Sequence, residues 1–69
     1  MNITGKQIRA VRNERGLTQE QLSVLCQVEG FDISRGTLAK IESGGRQVTD
    51  IELLKLSTIL QVSVVRFFA

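Results

Sequence analysis

The 69-residue sequence contains no histidine, no proline, no tryptophan, no tyrosine and a single cysteine. Without histidine and with a lone thiol, the chain cannot form a Cys/His zinc site, an internal disulfide, or a Ser-His or Cys-His catalytic dyad. A catalytic site built from carboxylates, hydroxyls and lysines would need a pocket that so short a chain can hardly enclose. We therefore expect a binding module, with no enzyme activity, no catalytic residues, no cofactor and no metal site.

The net charge is small, but the charged residues are unevenly distributed along the chain. The net charge is only +2. Residues 1–15 and 34–46 have an excess of Lys and Arg, whereas residues 16–33 carry acidic residues and no Lys or Arg. Two basic segments that flank an acidic one can place a positive face on the domain, as a nucleic-acid backbone requires. An ordinary solvated surface explains the same charges, so charge alone leaves both interpretations open.

Long apolar runs are also missing from the sequence. No segment approaches the roughly 18 residues of a membrane span, and the N-terminus has no apolar signal-peptide region. The single thiol, Cys26, lies in an apolar helical stretch, which indicates a small buried hydrophobe rather than a reactive group. An unpaired cysteine without a signal peptide fits a reducing compartment, and we expect a cytoplasmic protein.

Capping residues and glycines divide the first half of the chain into helices. Thr4 is predicted to cap a first helix that runs to about Arg15 and ends at Gly16. Thr18 with Gln21 three residues later forms a capping box for a second helix. The positions expected to face inward are Ile8 and Val11 in the first helix, and Leu22, Leu25 and Cys26 in the second.

The second half of the chain shows the same signals. Ser34 is predicted to cap a third helix that closes at Gly44, and Thr49 with Glu52 forms a second capping box. Ser63 can cap a last short turn, although the β-branched residues of 62–68 make a strand the competing prediction there. The expected inward positions are Leu38, Ile41, Leu53, Leu56, Ser57 and Leu60. The pattern predicts a compact all-α domain of five short helices over residues 1–69, without a linker.

Two blocks of sequence carry a family resemblance. Residues 8–23 read Ile-Arg-x-x-Arg-x-x-x-Gly-Leu-Thr-Gln-Glu-x-Leu-Ser, and residues 33–44 read Ile-Ser-Arg-Gly-Thr-Leu-Ala-Lys-Ile-Glu-Ser-Gly. With residues 53–60 and 62–64, they resemble the Cro/phage-repressor helix-turn-helix family (XRE type) over nearly the whole chain. The resemblance implies a bacterial or phage protein with a lambda-repressor-like fold, whose helix-turn-helix, formed by helices 2 and 3, spans about residues 18–43.

The resemblance also implies a set of DNA contacts. The helix over residues 34–43 would enter the major groove with its N-terminal end towards the base edges. Arg35 can bind guanine in a bidentate manner, and Thr37 can touch a thymine methyl group. Solvated helix-face charge is the alternative reading for Arg35 and Lys40. The expected base contacts are Arg35, Gly36, Thr37 and Lys40, and the expected phosphate contacts are Gln19, Ser34, Arg46 and Arg9.

Arg12 and Glu42 are expected to have a structural role. They occupy positions where this family often has a partly buried ion pair between helix 1 and the end of helix 3. We therefore predict that Arg12 orients the recognition helix and does not contact DNA.

Three features depart from the family pattern. The connection between helices 2 and 3 is lengthened, so either helix 2 gains a turn or an extra loop with Phe31 projects between the helices. Gln61 replaces the glycine that commonly ends helix 4, so that turn must close in another way or tolerate strain. Arg66 stands where such proteins often carry a large apolar residue.

The last residues have more apolar side chains than a small core requires. Some are expected to pack internally, with Val62, Val64 and Phe67 the best candidates. The resemblance implies a homodimer through Val64, Val65, Phe67 and Phe68 on a near-palindromic double-stranded DNA site. We expect a sequence-specific DNA-binding transcriptional regulator that acts as a repressor. The alternative is an antitoxin-like or accessory protein-interaction module that uses the apolar C-terminal segment.

Overall fold

The computed structural model describes residues 3–68 as a helical chain without a strand in this part. The elements are α1 (Ile3–Glu14), α2 (Gln19–Val28), α3 (Arg35–Ser43), α4 (Asp50–Leu60) and a C-terminal 3₁₀ helix (Val64–Phe68). The predicted all-α class is confirmed. The fifth helix is a 3₁₀ helix rather than an α-helix, and the competing strand prediction for residues 62–68 is wrong.

Side chains cap three of the helices as the sequence predicts. The Thr18 hydroxyl accepts a hydrogen bond from the Gln21 N–H at 3.1 Å, and the Gln21 side chain accepts one from the Thr18 N–H at 2.8 Å. The second predicted capping box, before α4, and the Ser34 cap of α3 are also present. The predicted Thr4 cap is wrong, because α1 begins at Ile3 and Thr4 lies inside its first turn.

The four α-helices of the described residues end in the same way. Each is followed by a residue in the left-handed region: Gly16, Gly30, Gly44 or Gln61. The next N–H then bonds the carbonyl five residues earlier, as from Leu17 to Arg12 at 3.1 Å. Gln61 adopts this conformation without being glycine, with φ of 58°, at a cost of about 1–2 kcal/mol. Gln61 therefore forms the same left-handed turn that a glycine would form, and its backbone is strained.

The hydrophobic core is formed by the inward-facing sides of the helices, which pack against one another. Its buried hydrophobic members are Ile8, Val11, Leu22, Cys26, Phe31, Ile33, Leu38, Ile41, Leu53, Leu56, Leu60 and Phe67. The predicted inward position of Leu25 is wrong, since its side chain is 40% exposed. The buried side of α2 is formed by Leu22, Ser23 and Cys26, and Leu25 lies beside it.

The long connection between α2 and α3 covers residues 29–34. Phe31 from this connection is buried in the core, and the Lys55 ammonium group lies 5.2 Å from its ring centroid. Of the two predicted alternatives, the structure has an extra loop with an inward-packed Phe31, and α2 ends at Val28.

The C-terminal 3₁₀ helix is fixed to α1 by Arg66. Its guanidinium donates a hydrogen bond to the Gln7 side chain at 2.6 Å and pairs with Glu14. Phe67 is fully buried, so its predicted part in a dimer surface is wrong. Val64 packs partly against the core, whereas Val65 and Phe68 are 68% and 60% exposed.

Candidate DNA-binding surface

Helix α3 presents a polar side to solvent. Leu38 and Ile41 are buried against the core, whereas Arg35, Gly36 and Lys40 are exposed. Two of the exposed side chains are basic, and no acidic residue lies in the first turn of the helix. The exposed side of α3 is therefore suited to an anionic ligand.

The N-terminus of α3 is held by hydroxyl groups. The Ser34 hydroxyl accepts a hydrogen bond from the Thr37 N–H at 3.1 Å and donates one to the Thr37 hydroxyl at 3.0 Å. Ser34 is thus first of all a helix cap. The Thr37 side chain is half-buried beside it, and its hydroxyl is bonded to Ser34.

Gly36 has no structural need to be glycine. A Cβ atom at this position would meet only the Ser34 hydroxyl, at 3.9 Å. A glycine inside a helix is less favourable than alanine by about 1 kcal/mol. The missing side chain of Gly36 therefore leaves the backbone of α3 open to close approach from solvent.

A buried ion pair joins α1 to the last turn of α3. Arg12 Nε and Nη2 donate to the two carboxylate oxygens of Glu42, at 2.7 and 2.9 Å. The side chains are 9% and 2% exposed. Hydrogen bonding from Arg12 to Glu42 raises the pKa of Arg12 against the opposing effect of burial. A third Arg12 bond, to the Leu17 carbonyl at 2.7 Å, fixes the turn after α1.

Gln19 connects α2 to the same carboxylate. Its side-chain amide donates to Glu42 at 3.1 Å, so Glu42 accepts bonds from both α1 and α2. The amide has a second N–H, and the backbone N–H groups of Gln19 and Glu20 begin a helix and have no acceptor within it. These groups can receive an anionic oxygen.

An open pocket of about 530 Å³ brings predicted contacts from two helices together. Gln19 and Arg35 both line it, which places the start of α2 beside the start of α3. Asn13 also lines the pocket and is exposed, and the sequence reading missed it. Its position four residues after Arg9, on the same face of α1, was the available signal. Arg9, Lys40 and Arg46 lie outside this pocket.

Arg46 already has a partner within the chain. Its guanidinium contacts both Glu52 carboxylate oxygens, at 2.8 and 3.2 Å. Hydrogen bonding from Arg46 lowers the pKa of Glu52, and the same bonds raise the pKa of Arg46. The Arg46 side chain is 39% exposed, so it is partly accessible to solvent while its guanidinium holds Glu52.

The thiol of Cys26 is buried in the core. Burial raises the pKa of the Cys26 thiol to about 11, which keeps it protonated and unreactive at neutral pH. Within residues 3–68, no helix has both the length and the apolar character needed to cross a membrane.

Comparisons with known proteins agree with this geometry. The family model described as Helix-turn-helix matches residues 8–67. A comparison with curated proteins finds no match. Among solved structures, the chain is similar to the restriction-modification controller protein C.AhdI from Aeromonas hydrophila. That crystal structure is 31% identical, with a TM-score of 0.81, over 94% of this chain and 87% of the other. The chain belongs to the XRE-type helix-turn-helix family of DNA-binding transcription regulators.

Proposed function

We propose that this protein is a repressor that binds a near-palindromic operator as a homodimer, with α3 in the major groove. The observation that carries the proposal is the exposed side of α3, which presents Arg35, Gly36 and Lys40 while Glu42 at its other end is anchored to α1. The similarity to a restriction-modification controller protein supports a regulatory role. Repression would follow when the bound protein covers a promoter.

The base contacts are assigned to the first half of α3. Arg35 has the donor geometry for guanine O6 and N7, and it stands at the first position of the helix. Gly36 permits close approach of the backbone, and the Thr37 methyl group can contact thymine. Lys40 lies one turn after Gly36 and can reach the next base or its phosphate.

The phosphate contacts are assigned to residues around α3. Gln19 offers its second amide N–H and the N-terminus of α2, which favours an anion. Arg9 offers an exposed charge on α1, and Arg46 offers a partly exposed charge after α3. Ser34 contributes less, because its hydroxyl is already used as the cap of α3.

The dimer contact is assigned to exposed apolar side chains near the C-terminal end. Val65 and Phe68 lie three residues apart, on one side of a 3₁₀ helix. Ile51 and Leu54 on α4 are also exposed, by 67% and 57%, and the sequence reading missed them. Sedimentation should show that Phe68→Ser weakens dimerisation, whereas Val28→Ser on α2 leaves it unchanged. Equal dimerisation of both variants would exclude this surface.

A second function rests on the same exposed side chains. An antitoxin-like or accessory module would use Val65 and Phe68 to bind another protein, and DNA binding would be secondary. The two functions differ in their response to salt. Binding through about 4–6 phosphates per subunit weakens steeply as salt rises, whereas apolar protein binding hardly changes.

Selection of duplexes from a random pool tests the proposed function. We expect enrichment of two related half-sites whose centres lie about 34 Å apart, with a steep salt dependence of affinity. A pool that enriches no sequence at low salt would contradict the proposal and favour the protein-interaction module. A reporter whose promoter overlaps the selected site should lose expression, and a gain would identify an activator.

A further inference from the structure

A carboxylate lies at the start of α2, on the surface proposed to bind DNA. Among the described residues that line the pocket between the starts of α2 and α3, Glu20 is the acidic one. It follows directly after Gln19, a proposed phosphate contact, and shares the pocket with Arg35. A carboxylate repels phosphate, so it weakens a surface that serves only to hold a DNA backbone. The position of Glu20 therefore calls for another role.

The helix cap of α2 does not use Glu20. The Thr18 hydroxyl caps the helix, and the reciprocal bond of the capping box is accepted by the Gln21 side chain. An acidic side chain in the first turn also favours the helix dipole, but this effect is small for an exposed residue. Glu20 is exposed and belongs to none of the ion pairs within residues 3–68. Its carboxylate is available to a cation on another helix.

Two arginines line the same pocket, and they differ in availability. Arg12 is held by Glu42 at 2.7 Å, and its side chain is 9% exposed. Arg35 is exposed at the first position of α3, and over the described part of the chain it belongs to no ion pair. A guanidinium has five N–H donors, and a bidentate contact to guanine uses two of them. The remaining donors of Arg35 can bind a carboxylate at the same time.

We infer that Glu20 is a positioning residue for base recognition, whose carboxylate binds the Arg35 guanidinium from the side while Arg35 contacts guanine. The second bond holds a long side chain in one orientation, which reduces the entropy lost on binding. When Arg35 turns to a phosphate instead, it gives up the carboxylate, and Glu20 repels that phosphate. Glu20 therefore raises the ratio of specific to non-specific affinity. The inference rests on the proposed function, since it assigns how Arg35 on that surface selects its base.

The test compares Glu20→Gln with the matched variant Glu29→Gln. Each removes one negative charge from an exposed glutamate, and Glu29 lies at the other end of α2, where it lines a different pocket with Phe31 and Lys55. Affinities are measured for the selected duplex, for its single-base changes and for a duplex of unrelated sequence. Circular dichroism should show that both variants are folded, because glutamine has nearly the size of glutamate and both positions are exposed.

The two variants should differ in specificity. Glu20→Gln should lower the ratio of the affinities for the selected and the unrelated duplex by about fivefold. Base discrimination should weaken at the position that Arg35→Ala identifies and at no other. Glu29→Gln should leave both the ratio and the discrimination unchanged.

A double-variant cycle tests whether Glu20 acts through Arg35. In the Arg35→Ala background, Glu20→Gln should not lower the affinity ratio further, because the side chain that it positions is gone. A further loss of about fivefold in that background would show that Glu20 acts independently of Arg35 and would overturn the inference.

The other outcomes separate the inference from the proposed function. Equal effects of Glu20→Gln and Glu29→Gln, with base-specific loss in Arg35→Ala, would overturn the inference alone and leave only net charge. Loss of discrimination at a different base position in Glu20→Gln would make Glu20 itself a base contact, against the positioning role. A native chain that discriminates no base would contradict the proposed function and the inference together.

Discussion

Two arginine–glutamate pairs lie near the C-terminal end of α3, and they differ in burial and in the sequence separation of their members. Arg12 and Glu42 are 30 residues apart in sequence, and their side chains are 9% and 2% exposed. Arg46 and Glu52 are six residues apart, and their side chains are 39% and 16% exposed. The same chemical pair therefore has two roles. The buried pair joins α1 to α3, whereas the second pair holds a partly exposed cation that we propose as a phosphate contact.

The largest expected effect follows from breaking the buried pair. Glu42→Ala leaves the Arg12 charge buried without its carboxylate, so we expect a loss of about 3–5 kcal/mol in the free energy of unfolding. A domain of this size has about 3–10 kcal/mol in total, so the variant should be largely unfolded or close to it. Urea unfolding followed by circular dichroism measures the loss. Glu52→Ala breaks the more exposed pair and also removes the bond that Glu52 accepts from the Thr49 N–H, so it should cost about 1–2 kcal/mol, less than Glu42→Ala. Equal losses would contradict the distinction between the two pairs.

Replacing both members of the buried pair should restore part of that loss, because the Leu17 carbonyl and the Gln19 amide still lose their partners. Arg12→Met with Glu42→Leu removes both charges and refills the volume, a change that is often neutral or stabilising in other proteins. We expect a folded domain that still binds the selected DNA site. A folded double variant that has lost phosphate affinity would show that Arg12 contacts DNA, against the structural role.

Removing the exposed cation should affect DNA binding more than folding. Arg46→Gln should weaken binding to all duplexes to a similar extent and reduce the salt slope by about 1, because one phosphate contact is lost. Lys55→Gln changes the net charge equally, and its ammonium lies over Phe31 in the native chain. The slope should stay unchanged in that control, and an equal reduction in both variants would point to net charge alone.

The smallest expected effect is a pH dependence of the exposed pair. Hydrogen bonding from Arg46, followed by bonds from Thr49, lowers the pKa of Glu52 from its ordinary value of 4.5. The pair therefore contributes stability above pH 4.5 and loses it as pH falls through the lowered pKa. Because Arg46 is partly solvated, the contribution should be about 0.5 kcal/mol or less. The difference in unfolding free energy between the native chain and Glu52→Gln should shrink below that pH. A constant difference from pH 7 to pH 3 would refute this.

The sequence predicted the local features of the fold well. The capping box of Thr18 with Gln21 joins residues three apart, and the left-handed turn at Gly44 depends on one residue and its neighbours. Such features are set before tertiary packing, so residue type and spacing suffice to predict them. The exception is Thr4, which has a residue type that favours a helix cap but lies inside the first turn of α1.

Contacts that depend on packing were harder to predict. The hydrogen bond from Gln19 to Glu42 joins residues 23 apart in sequence, and their spacing does not predict it. Arg46 and Glu52 are close in sequence, but the spacing of Thr49 and Glu52 predicts only the capping box, in which Glu52 accepts a hydrogen bond from the Thr49 N–H. Leu25 shows the limit of periodicity, since a helix on the edge of a small core buries a narrower stripe than its apolar residues suggest.

The central claim, that the exposed side of α3 reads DNA bases, is tested most directly by Arg35→Ala. The affinities of the native chain and the variant should be measured for the selected duplex and for each single-base change in one half-site. The variant should lose about 1–3 kcal/mol of binding, and discrimination should disappear at one base position and remain at the others. Its unfolding free energy should stay unchanged, because Arg35 is exposed. An equal loss on every duplex, with discrimination intact at all positions, would contradict the claim.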